Sequence, residues 1–224
     1  MVFRRCSIGG HAYRGDDPEA APNEKNQSPS RFTEDLPVSD SEEITHFKDS
    51  VLNRDLEDAV SADPNTEYAP HARNLNAFFT VLALCHTVLT GVDPITGKIE
   101  YKAQSPDEAA LVQAAADVGF VFLGRDRETM SLRTPSSTEV EKYELLNILE
   151  FTSSRKRMSV VLRRMGDEHG RLFLLTKGAD NVIFERLKAG AEELKEETEK
   201  HLSEFANEGF RRLSLVRKNR SYVS

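Results

Sequence analysis

Apolar residues are sparse and scattered from about residue 14 to 70 and dense and patterned after Asn74, so the chain divides by hydropathy before any motif is considered. A strand-like run, Val2 to Ile8, opens the chain, and Gly9-Gly10 predicts a turn into the polar stretch. Carboxylates, prolines and small polar residues fill that stretch, and loop or disorder is expected for most of it. Within it, Phe47, Val51, Leu52, Leu56, Ala59 and Val60 recur at helical spacing, which predicts one short amphipathic helix ending before Pro64.

From Asn74 to Leu89 the apolar residues are nearly continuous, predicting a buried helix with Asn74 as N-cap and Gly91 near its end. A turn from Val92 to Gly97 leads into a strand, Lys98 to Lys102. Ser105, Pro106 and Glu108 then occupy N-cap, N1 and N3, a capping-box start for a helix stopped by Gly119. Strands are expected over Phe120–Gly124, Thr129–Arg133, Val140–Phe151, Met158–Arg164 and Arg171–Thr176, close enough to pair antiparallel. Asp180 can cap a helix to about Leu187. A charged helix from Glu192 to Asn207 should turn Leu194, His201, Leu202 and Phe205 inward, and after Gly209 a strand returns over Arg211–Val216. The pattern predicts an α+β fold, a twisted, mainly antiparallel sheet flanked by helices, in one domain spanning 1–224 with the polar stretch as an insertion.

The 224 residues carry a formal net charge of −7, which opposes nucleic-acid binding, since that requires a basic field. Cys6 and Cys85 are far apart and read as free, packed thiols of a reducing compartment. The six histidines never reach metal-ligand spacing, and no metal site is expected. The longest apolar run, Ala77 to Cys85, is about half of the ~20 residues that cross a bilayer, and no signal-peptide pattern opens the chain, so a soluble polypeptide is expected. Both ends run in strand-like sequence, which suggests a piece of a larger protein.

Candidate chemistry centres on Phe151-Thr152-Ser153-Ser154-Arg155-Lys156-Arg157-Met158-Ser159, followed by Lys177-Gly178-Ala179-Asp180. An aromatic ring at a strand end beside cations suits a purine with a phosphate tail, although such a basic run also fits a solvated hairpin turn. Neither GxxxxGK followed by Ser or Thr nor GxGxxG occurs, which excludes a P-loop, Rossmann or kinase site, and no nucleophile elbow or paired carboxylate is evident. No catalytic residue is assigned.

Six segments, Met1 to Gly10, Leu84 to Thr87, Gln104 to Val112, Glu150 to Ser159, Lys177 to Asp180 and Glu208 to Leu213, resemble, in order, the nucleotide-binding domain of class IV P-type ATPases, the phospholipid flippases. Their wording resembles fungal members. The resemblance implies a cytosolic domain of a membrane pump that phosphorylates itself on an aspartate in a DKTGT motif, absent here and expected just before Met1. It implies ATP as ligand, Mg2+ in the parent enzyme only, phosphorylation and actuator domains in the parent chain, an accessory membrane subunit, and a monomeric isolated chain without nucleic acid. By resemblance, Phe151 stacks on adenine, Lys177 lies at the pocket floor with its charge free for the nucleotide, Ser153 and Lys156 line the rim, and Arg211 grips phosphate. Glu108 faces adenine in the family, while its N3 position alone explains it as a helix cap. Arg212 replaces the family's usual hydroxyl with a second cation. The competing reading is a non-catalytic module of the same fold whose basic loop docks acidic protein or lipid headgroups.

Overall fold

A computed structural model describes residues 1–16, 47–63, 65–95, 97–167 and 170–220. The sheet grows as a meander because its strands are separated by short turns. β5 (Val121–Asp126), β6 (Thr129–Arg133), β7 (Glu141–Leu149), β8 (Arg157–Arg164) and β9 (Leu172–Gly178) each pair antiparallel with the next. After two helices, β10 (Ser214–Arg220) pairs antiparallel with β9, giving the order β10-β9-β8-β7-β6-β5. Alternation then sorts the side chains. Met158, Val160 and Leu162 of β8 pair with Lys177, Leu175 and Phe173 of β9, and this face is apolar and buried except for the one lysine. The α+β expectation holds, and the strand bounds shift by at most a few residues apart from β10. The expected return strand at Arg211 begins three residues later, and residues 217–220 complete it.

Two helices close the core. In α2 (Ala69–Leu84), Leu75, Phe79 and Leu82 are buried, and in α3 (Pro106–Asp117) Val112 and Ala115 are buried, with Phe79 stacked 5.6 Å from Phe120. Helix α2 starts five residues before the expected cap at Asn74: Pro70 occupies its first turn, where a missing N–H costs nothing. Nor does the helix run to Leu89. Its end is closed by a side chain rather than by Gly91, because the Val88 N–H donates to His86 Nδ1 (3.1 Å), which requires Nε2–H to donate to the Ala83 carbonyl (2.8 Å). Leu89–Val92 is therefore free to form β3, paired antiparallel with β4 (Ile99–Lys102).

Gly9 and Gly10, at φ 59° and 86°, make a two-residue turn of the type that suits a hairpin. The chain accordingly returns as β2 (His11–Tyr13) against β1 (Cys6–Ile8) rather than passing directly into the polar stretch. Tyr13 Oη donates to Asp55 Oδ2 (2.7 Å) and meets His71 Nε2 (2.9 Å), tying this hairpin to α2 and to the predicted amphipathic helix, α1 (Ser50–Ser61). Asp49 caps α1 through the Leu52 N–H (2.8 Å), and Phe47, Leu52 and Leu56 are buried, while Val51 and Val60 of the expected apolar face are exposed. The rest of the predicted loop lies mostly outside the described residues.

Beyond β9, α4 (Asp180–Phe184) is shorter than expected, and Ala179 rather than Asp180 occupies its N-cap position, without a side-chain cap bond. Helix α5 (Glu192–Asn207) has the predicted bounds and buries His201, Leu202 and Phe205, but Leu194 is exposed. Cys6 and Cys85 are buried free thiols, and His86 is buried as well.

Candidate functional site

A cleft of about 1300 Å³ lies along the start of α3, the β7 end, β9, β10 and the α5–β10 connection. Glu108, Phe151, Lys177, Arg211 and Arg212 line it together although they are scattered over a hundred residues of sequence. Pairing β7 with β8 and β8 with β9 carries Phe151 and Lys177 to the same end of the sheet.

Phe151 lies two residues past the end of β7 and is 61% exposed, so its ring is not part of the core. The chain behind it folds into a tight turn: Lys156 N–H donates to the Thr152 carbonyl (2.7 Å), Arg155 N–H to Thr152 Oγ1 (3.2 Å), and Lys156 takes a left-handed φ of 51°. Ser153 and Lys156 are exposed on this turn, two and five residues past Phe151. The turn also explains Gly178. A Cβ there would stand 2.5 Å from Arg157 Cβ and 2.6 Å from the Lys156 carbonyl oxygen, which itself accepts from Ala179 N–H (3.0 Å). Glycine before Ala179 thus lets the end of β9 close on the Phe151 turn.

At the floor, the Lys177 ammonium is buried and bonded to Glu108 Oε1 at 2.8 Å. Glu108 Oε2 accepts from Thr87 Oγ1 (2.8 Å) and, more weakly, from Thr87 N–H (3.4 Å). Two expectations are corrected. Ser105 makes no side-chain cap bond, so the capping box does not form, and the Lys177 charge is not free but shared with Glu108. The physical reason is that a buried ammonium needs a counter-charge more than an exposed helix start needs a second cap. Burial pushes the Glu108 carboxyl up, but the hydrogen bond and charge of Lys177 and the Thr87 donors outweigh it and hold the group below the usual carboxylate range.

Arg211 Nη1 lies 2.8 Å from Asp107 Oδ2, on the residue that precedes Glu108 in the first turn of α3. Arg212 is 3.5 Å from Asp180 Oδ2 and donates to the Leu202 carbonyl at 3.4 Å. Sequence reasoning missed Thr87, Asp107 and Asp180. Asp107 adjoins Glu108 on the first turn of α3, and Thr87 ends Leu84 to Thr87, one of the six segments that carry the family resemblance; His86 in that segment shapes the turn that presents Thr87. Among the described residues no group of three or more His, Cys, Asp or Glu is placed to hold a metal ion, and no helix is long and apolar enough to cross a membrane.

The chain belongs to the family described as P-type ATPase, cytoplasmic domain N, which matches residues 74–223, and its antiparallel sheet with flanking helices is consistent with that domain. It is 41% identical to the probable phospholipid-transporting ATPase 12 of Arabidopsis thaliana, with 96% of this chain and 18% of that protein covered. It is 39% identical to phospholipid-transporting ATPase DRS2 of Saccharomyces cerevisiae, over 96% of this chain and 14% of the relative. Identity to phospholipid-transporting ATPase ID of Mus musculus is also 39%, over 98% and 17%. The chain thus spans less than a fifth of the length of these relatives. Plant, yeast and mouse proteins match almost equally, which does not single out a fungal origin.

Proposed function

We propose that this domain binds ATP in the cleft and presents it to the phosphorylation domain of a phospholipid-transporting P-type ATPase. The observation that carries the reading is the placement of an exposed Phe151 ring and a buried Lys177 at one cleft wall, with Arg211 and Arg212 farther along. The ring offers a flat apolar face to a purine, Lys177 and Glu108 together offer a donor and an acceptor at the base end, and the guanidinium groups match phosphate oxygens. In this reading the acceptor aspartate and Mg2+ belong to the phosphorylation domain, and transport, actuator domain and accessory subunit belong to the parent protein. Ser153 and Lys156, exposed on the turn that follows Phe151, are the rim contacts of this reading.

Titration of the chain with ATP, followed by amide chemical shifts, tests the reading. Shifts are expected at Glu108, Phe151, Lys177 and Arg211 with a dissociation constant of roughly 0.1–5 mM, since part of the phosphate site lies in the partner domain. Phe151→Ala should weaken ATP and adenosine alike by about tenfold, the scale of a lost base stack, while Arg211→Ala should weaken ATP far more than adenosine. Saturating ATP that moves none of these amides would refute the site. Shifts confined to the Thr152–Lys156 turn, produced equally by an acidic peptide, would favour an interaction module instead.

A further inference from the structure

Three cations of the cleft are paired with a carboxylate of the same chain: Lys177 with Glu108 at 2.8 Å, Arg211 with Asp107 at 2.8 Å, Arg212 with Asp180 at 3.5 Å. Within these three pairs the charges balance, so a phosphate that draws on one of these cations must take it from its carboxylate.

The pairs are not equally ready to exchange. Lys177 and Glu108 have side chains only 10% and 17% exposed, and Thr87 holds the carboxylate from the other side, so this pair is fixed. Arg212 has a second anchor in the Leu202 carbonyl. Arg211 has neither burial nor a second anchor: its side chain is 76% exposed, and it stands on the segment between α5 and β10 that is neither helix nor strand. Such a surface ion pair contributes little net free energy and can open for a ligand of higher charge. Asp107, however, sits on the first turn of α3 and cannot withdraw with it, so its negative charge stays beside any phosphate that Arg211 then grips.

We propose that Asp107 is an internal competitor for the phosphate-binding arginine, so that nucleotide binding exchanges the Asp107 carboxylate for a phosphate oxygen on Arg211 and Asp107 sets the affinity downward. The proposal rests on the reading of the cleft as an ATP site and adds a residue that tunes it. Asp107 touches no part of the nucleotide and acts through Arg211.

Calorimetric titration with ATP of the wild-type chain, Asp107→Asn, Arg211→Ala and the double variant tests it. Asp107→Asn should tighten ATP binding about three- to tenfold at low salt, the scale of one partly screened charge, and make the affinity fall more steeply as salt is added. Asp107→Ser should do the same, which separates loss of charge from any effect of the new amide. In the Arg211→Ala background the same substitutions should change the affinity less than about twofold, because the cation contested by Asp107 is gone. Unchanged or weaker ATP binding by both Asp107 variants, with wild-type binding intact, overturns the proposal alone. An equal gain with and without Arg211 overturns it too, since Asp107 would then act only as a general repulsive charge. Failure of the wild-type chain to bind ATP overturns the ATP-site reading and the proposal with it.

Discussion

Glu108→Ala should lower the unfolding free energy by about 3 kcal/mol, and adding Lys177→Met to it should recover most of that loss. Lys177 is buried at the cleft floor and Glu108 is its ion-pair partner at 2.8 Å, so removing the carboxylate strands an ammonium among apolar neighbours. Taking away both charges replaces the pair with packed side chains, which is often close to neutral. Glu108→Gln separates this from helix capping. A glutamine keeps an acceptor for Thr87 and would fill a capping box, but it leaves the Lys177 charge uncompensated, so it should cost more than 1 kcal/mol. Urea denaturation of the four proteins decides the matter. A double variant no more stable than Glu108→Ala would show that Glu108 matters through something other than Lys177. A Glu108→Gln protein as stable as wild type would restore the capping explanation.

Acid should destabilise the domain well above the pH at which ordinary carboxylates titrate. His86 is buried, its Nδ1 accepts from Val88 N–H, its Nε2–H donates to the Ala83 carbonyl, and its ring packs edge-on 4.6 Å from Phe122. Burial, opposed by the Ala83 bond and reinforced by the Lys177 charge, lowers its pKa to about 4 from an ordinary value of 6.5. The folded form therefore binds its proton less readily than the unfolded chain. The stability due to neutral His86 is present in full above pH 6.5 and is lost as the pH falls towards 4, amounting to about 2 kcal/mol by pH 5 and about 3 kcal/mol by pH 4. His71 is lowered as well, by burial and by His11, and adds to the same loss. The depressed Glu108 carboxyl contributes stability above the ordinary carboxylate range and loses it as the pH falls through and below that range. Because His86 precedes Thr87, a charged ring should also loosen the Glu108 anchor. Chemical denaturation from pH 7.5 to 4.5 checks this, with His86→Gln expected to flatten most of the slope above pH 5. A His86→Gln protein with the wild-type slope would place the acid sensitivity elsewhere.

Much of the fold was legible because its signals are local. Bounds for β6 and α5 follow from period and punctuation alone, and the short spacing of β5 to β9 implies their antiparallel order. The errors fall where a distant group overrides the local signal. Asn74 looks like a cap until Pro70 is seen to fit the first turn of α2, and Gly91 looks like a helix end until His86 stops the helix and β4 claims Leu89–Val92. The exposed Leu194 illustrates the same point: a helical period says which residues share a face, and only the packing of α5 against β1 through Ser7 and His201 says which face turns inward.

For the site, residue type along the chain pointed to the Phe151–Ser159 run and to Lys177–Asp180 as candidate chemistry, because an aromatic at a strand end and a lysine before a glycine are statements about single segments, and the family resemblance added Glu108 and Arg211. The pairing of these residues was not legible. Whether Lys177 is free or neutralised, whether Glu108 caps α3 or crosses to β9, and which carboxylate holds which arginine depend on contacts between residues 69 and 104 positions apart in the chain. Sequence alone determined the chemistry available and the elements that carry it. The tertiary structure decided which charges meet, since Coulomb and desolvation energies depend on distance and burial, quantities that exist only once the sheet has closed on α3.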